Sequence, residues 1–224
     1  MAIINCLSNL PLGPTIFLTK YYKKTFSYYM AYFSMLVSIM YHLGESLDVI
    51  IFLEQLKWHE LDNIGAMYAF STLSLPLTKL CRNENYTTIK NYLSFFIILL
   101  FQQRGPWVLM NTILPLVIDF SIAIIQVYIY GMPDYNKKTL NKAGILMLIS
   151  LLFFYKGLDD LNDYLRIWHS LWHISIGITS FYLLQIQEEK FISFKEIIYF
   201  YFEIKEDITE KDVEIKLSSN KLLK

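Results

Sequence analysis

The sequence predicts an all-α membrane protein: a bundle of seven transmembrane helices, N-terminus outside or lumenal and C-terminus cytoplasmic. Three observations predict it. The 224 residues are 54% hydrophobic and 17% aromatic, with mean hydropathy +0.36, which is rare in soluble domains and ordinary in polytopic membrane proteins. Apolar stretches recur seven times, most near the length that crosses a bilayer core of about 30 Å. Basic residues concentrate in alternate connections, the asymmetry that orients membrane helices. Lys plus Arg equals Asp plus Glu, at 20 each, so net charge singles out no partner and gives no reason to expect nucleic acid. Cys6 and Cys81 are too few and too far apart for a disulfide framework or a cysteine zinc site.

The first span is expected over residues 2–18, where Pro11, Gly13 and Pro14 interrupt the helix and neighbours must satisfy the freed backbone groups. No basic run precedes it and no small-residue cleavage site follows, so it reads as a retained span. The connection KYYKKTF leads to span two, residues 27–43. Loop 44–57 is acidic at both ends (Glu45, Asp48, Glu54) and apolar in the middle, and reads as dipping into the interface. Span three covers 58–80, with Asp62 in its first turns. A polar loop, 81–90, precedes a short span four, 91–101. Span five covers 107–130, kinked by Pro115, and span six 143–155. The acidic turn GLDDLND opens span seven, residues 163–187. Residues 1–187 thus form the membrane core. Residues 188–224 form a cytoplasmic tail in which Phe191, Phe194, Ile197, Ile198 and Tyr201 recur at the spacing of an amphipathic helix.

Orientation follows from Lys20, Lys23, Lys24, Lys79, Arg82, Lys90, Lys137, Lys138 and Lys142, all in connections after odd-numbered spans. The other connections hold only Lys57, Arg104, Lys156 and Arg166. The sequon Asn85-Tyr86-Thr87 then falls on the cytoplasmic side and reads as a chance match.

His169 and His173 stand out in span seven. Four residues apart, they share a helix face about 6 Å apart along the axis, a spacing from which two imidazoles can hold one metal. His42 ends span two, with Ser38 one turn before it, and Asp62 opens span three. On the expected topology all of these lie in the outer half of the bilayer, where ionisable groups are costly and usually functional. Three imidazoles are a ligand set for catalytic zinc, with the fourth position left to a water whose pKa falls towards 7. Asp62 could orient that water or act as general base. Ser38 could steady an oxyanion or hold the Asp62 carboxylate, and Ser170 could play a similar supporting part. Haem is the competing cofactor, but two ligands on one helix face suit a single zinc better. His59, at the aqueous edge, reads as a solvated or capping residue. Asp119, inside span five, reads equally as a helix-packing group or a second functional carboxylate. A seven-span receptor fits the topology but gives no account of three histidines at one depth.

The strings SIMYH (38–42), WHELDN with Asp62, and HSLWH (169–173) resemble the signature of the alkaline ceramidase-like (CREST) superfamily of seven-span membrane hydrolases. Within it, the short chain, LDN and the run from Asp163-Tyr164 into HSLWH resemble the myomaker branch, which also holds the transmembrane 8 proteins. The resemblance covers roughly residues 1–187. It implies zinc held by His42, His169 and His173, with Ser38 and Asp62 as the accompanying catalytic pair. It implies hydrolysis of lipid amide or ester bonds. The expected partner is a membrane lipid, as substrate or ligand, in the plasma membrane or an endomembrane, and a homodimer is the candidate assembly. The alternative it implies is a non-enzymatic membrane-fusion or remodelling protein in which zinc is structural. Members of the myomaker branch end in a cysteine-rich, lipidated tail, whereas the last cysteine here is Cys81, a departure that weighs against the fusion role.

Overall fold

The structure is a computed structural model that describes residues 2–158, 163 and 165–200. Among these residues the fold is all-helical. It divides into two compact units, residues 1–189 and residues 190–224. In the first unit α1 (Ala2–Leu7) is followed by a 3-10 turn (Leu10–Leu12) and α2 (Gly13–Tyr21). Then come α3 (Thr25–Leu47), α4 (Gln55–Thr72), 3-10 turns at Leu75–Leu77 and Lys79–Arg82, and α5 (Glu84–Gln103). The unit ends with α6 (Leu109–Tyr130), α7 (Lys137–Gly157) and α8 (Ile167–Leu183).

Local chemistry explains where these helices depart from the expected spans. The first span is broken, because Pro11 cannot donate into a continuing helix and opens a 3-10 turn instead. The expected polar loop 81–90 is mostly helix: Asn83 accepts a hydrogen bond from the Tyr86 amide (3.0 Å) and starts α5 early. Asn136 does the same for α7 through the Thr139 amide (3.2 Å). The long α6 contains Pro115 in its interior. Loop 44–57 shrinks, since α3 continues to Leu47 and stops at Asp48 in the left-handed conformation. Its apolar middle forms a tight turn about Phe52 (φ +61°), which is 90% exposed, and the Trp58 indole braces it by donating to the Ile51 carbonyl (2.7 Å).

Many polar side chains are buried and many large apolar ones are exposed, beside buried apolar clusters. Buried positions include Ser34, Ser38, His42, Asp62, Ser71 and Asp119, while Ile124, Tyr128, Leu148 and Tyr155 lie exposed. Among the described residues, α6 and α7 are the two helices long and apolar enough to cross a membrane. Helices α3, α4 and α8, expected as comparable spans, are shorter or more polar, and many of their polar residues are the buried ones.

The closest packing is between α3 and α4 and between α7 and α8. The α3–α4 contact requires glycine: a Cβ on Gly65 would lie 2.9 Å from Ser34 Cα, and the Ser34 hydroxyl donates to the Gly65 carbonyl (2.9 Å). Trp172, Ile176 and Leu183 of α8 form one core cluster with Leu73, Ala143 and Ile186. Ile64, Met67 and Tyr68 of α4 form another with Ile98. Asp119, open between two readings, packs helices: it lies 3.6 Å from Lys90 Nζ and accepts from the Ser94 hydroxyl (2.7 Å).

In the second unit a helix occupies 194–200. It starts at a capping box in which the Ser193 amide donates to Glu196 Oε2 (2.7 Å) and the Glu196 amide donates to Ser193 Oγ (3.3 Å). Tyr201 and the charged end of the tail lie outside the described residues.

Candidate metal centre

Three helices deliver the site. His42 sits in the penultimate turn of α3, His169 and His173 in the first turns of α8, and Asp62 in α4. The start of α8 is held by Asp163, whose two carboxylate oxygens accept from the Trp168 and His169 amides (3.0 Å each). The expected span from 163 therefore begins as a cap, and the helix proper starts at Ile167. Gly157 lets α7 approach: a Cβ there would lie 3.0 Å from the His169 amide nitrogen.

The structure brings His42, His169 and His173 together as a group that can hold a metal ion, with one ligand nitrogen from each within 4.8 Å of the others. His42 Nε2 and His169 Nε2 are 3.2 Å apart. Two nitrogens on one tetrahedral ion, each bonded at about 2.0–2.1 Å, are separated by about 3.3 Å, so this pair already has the required spacing.

The hydrogen bonds behind the rings decide which nitrogens are free. His42 Nδ1 faces Glu45 Oε2 at 3.3 Å, and a carboxylate only accepts, so Nδ1 carries the proton and Nε2 the lone pair. Ser8 Oγ lies 2.6 Å from the Asn5 carbonyl, which takes the hydroxyl proton. Ser8 then accepts from His173 Nδ1 (3.1 Å), leaving His173 Nε2 unprotonated as well. Ligating histidines are held in this way, with the far nitrogen donating to a protein oxygen. Glu45 is itself fixed by Arg166 (2.7 Å), one turn before His169. The donor set thus fits a borderline-soft divalent ion such as zinc.

Asp62 is buried and forms a wall common to two spaces. On one side a cleft of about 350 Å³ is lined by His42, His169, Asp62 and Arg166. On the other, a pocket of about 40 Å³ is lined by Asp62, Ser38 and His173 among apolar side chains. It exceeds the roughly 10–15 Å³ that one water needs. The Ser38 hydroxyl is buried beside Asp62 and lacks a well-formed hydrogen bond within the protein. A hydroxyl directed at a buried carboxylate in this way orients that carboxylate, and it can turn to a group entering the pocket.

Two expectations change. Ser170 makes its contact with α1 rather than with Asp62, donating to Asn5 Oδ1 (2.7 Å). His59 lies inside α4 and caps no helix; it is half-buried, its ring stacked on Trp107 (centroids 3.7 Å apart, planes 9° apart) in the cleft wall. Reading the sequence missed Ser8, Glu45 and Arg166. Glu45 carried a usable signal, lying one helical turn after His42. Ser8 carried none, being 165 residues from its partner.

The family described as "Protein of unknown function (DUF3522)" matches residues 1–174, which contain all three histidines, Ser38 and Asp62. No curated protein matches the chain.

Proposed function

Since the chain belongs to the DUF3522 family, whose description assigns no function, we propose from its site that it is a multi-pass membrane hydrolase. In this reading His42, His169 and His173 hold zinc, and the bond cleaved is an amide or ester of a membrane lipid. The observation that carries it is the pair of ring nitrogens 3.2 Å apart, backed by Asp62 and the buried Ser38 hydroxyl beside it. Zinc at such a site polarises a carbonyl and acidifies water.

The chain's own residues supply the rest. Asp62 takes a proton from the water that attacks the acyl carbon and returns it to the departing amine or alcohol. The bond formed is carbon to water oxygen, and the bond broken is carbon to the leaving nitrogen or oxygen. Ser38 donates to the oxygen that gains charge. Glu45 and Ser8 hold two imidazoles in the ligating tautomer. The exposed apolar faces of α6 and α7 and the polar interior support placement in a bilayer, from which a lipid reaches the cleft laterally. The seven-span topology and kinship with the alkaline ceramidase-like superfamily belong to the same proposal.

Turnover of N-acyl and O-acyl lipids by the purified protein in lipid nanodiscs tests this reading. Asp62→Asn is expected to lower turnover by about 10²–10⁴-fold while metal content and folding persist. Full activity in Asp62→Asn, or none in a metal-loaded wild type across both lipid classes, contradicts it.

One observation favours a second reading. The main packing partners of α3 and α8 are α4 and α7, and α3 and α8 meet at the site through the His42–His169 and Glu45–Arg166 contacts. A metal there could serve as a clip in a non-enzymatic, myomaker-like remodelling protein. In that case Asp62→Asn changes little and His169→Ala acts through lost stability.

A further inference from the structure

At the end of α3 opposite the histidines lies a larger cavity, about 680 Å³. The 23 residues of α3 put roughly 33 Å between the two ends, so this space is separate from the metal centre. Three cationic side chains line it: Lys23 and Lys24 from the α2–α3 turn, and Arg82 from the 3-10 turn before α5.

The first turn of α3 also opens here, with Thr25, Phe26 and Ser27 in the wall. Lys24 occupies the N-cap position and its side chain provides no cap. The first-turn amides of Phe26 and Ser27 are therefore left to other acceptors, at the positive end of a long helix dipole. A third observation is independent of charge. Asn91 is 4% exposed and lines the same cavity, and its side-chain oxygen has no hydrogen-bond partner. Glu84 and Glu188 line it as well, and carboxylates exclude a bare polyphosphate but accept from hydroxyls. Cations and open amides ask for phosphate; the carboxylates and the Asn91 oxygen ask for hydroxyl groups.

We propose that this cavity binds a phosphorylated polyol, the chemistry of an inositol phosphate headgroup. Basic pockets between membrane helices take such headgroups from the adjoining leaflet. The backbone is shaped for the task at Lys23, a non-glycine residue at φ +56°, a conformation that costs energy and places consecutive lysines at the rim.

That strain supplies a clean variant. Lys23→Gly removes the ammonium and eases the left-handed backbone, so the chain keeps its fold. Combined with Lys24→Gln, it removes two cations and leaves the Arg82 hydrogen bond to the Gln187 carbonyl (2.7 Å) intact. The full chain in phosphatidylcholine nanodiscs containing phosphatidylinositol bisphosphate is read by native mass spectrometry, with soluble inositol trisphosphate as second probe. Wild type is expected to retain the phosphoinositide, and the double variant to bind it about 25-fold more weakly, at about fivefold per basic residue. Weak binding of inositol trisphosphate supports the lipid as source; equal binding supports the same site with a soluble ligand. No preference for the phosphoinositide over phosphatidylcholine, or unchanged binding in the double variant, overturns the proposal. The cavity shares no residue with the metal centre, so neither result bears on the hydrolase reading.

Discussion

Glu45 selects the nitrogen that His42 offers to a metal, and Ser8 does the same for His173. Both act from outside the ligand set, by accepting the Nδ1 proton (3.3 and 3.1 Å). Removing such a partner frees the ring to rotate or change tautomer, which weakens metal binding about 10–100-fold. Glu45→Ala should show that loss in a chelator competition on the purified protein, whereas a distant surface carboxylate such as Glu84→Ala should not. Unchanged affinity in Glu45→Ala would mean that the ring is oriented by packing alone. At this scale the sequence was legible where chemistry is expensive: histidines and an aspartate inside apolar helices stand out against their neighbours. The supporting partners were not, because a serine near the N-terminus looks like any other small polar residue until folding places it beside α8.

The elements carry the site through their ends. α8 begins where Asp163 accepts two backbone N–H groups, one of them from His169 itself. Asp163→Ala should lower stability by about 1–2 kcal/mol, read by thermal unfolding in detergent, with metal affinity falling alongside it. A loss of stability with metal affinity intact would place the His169 backbone under the control of Gly157 and α7 instead. Hydropathy located α3 to α8 but joined α1 and α2 into one stretch and misplaced many ends. Asn83 and Asn136 extend α5 and α7 into stretches that read as loop, because a capping asparagine lets a helix start among polar residues. Pro11 divides the first stretch for the opposite reason, a missing donor within an apolar run.

At the scale of the whole molecule, the polar interior is what lets distant segments assemble one centre. Segments around residues 8, 42, 62 and 170 meet there, and each contributes buried polar side chains that would destabilise a dry apolar core if left unpaired. The all-helical class followed from composition and periodicity. The meeting of α3, α4 and α8 at one end was legible only through the matching depth expected for their ionisable residues, and the part of α1 was not legible at all. Whether those residues hold a metal is the claim on which both readings of function depend. It is tested most directly by elemental analysis of the detergent-purified protein beside a His169→Ala/His173→Ala variant, each checked for a monodisperse profile. About one zinc per chain in the wild type, absent from the folded variant, is the predicted result. No zinc in a well-folded wild type, or equal zinc in both proteins, would contradict it and leave the three histidines as interhelical hydrogen-bonding groups.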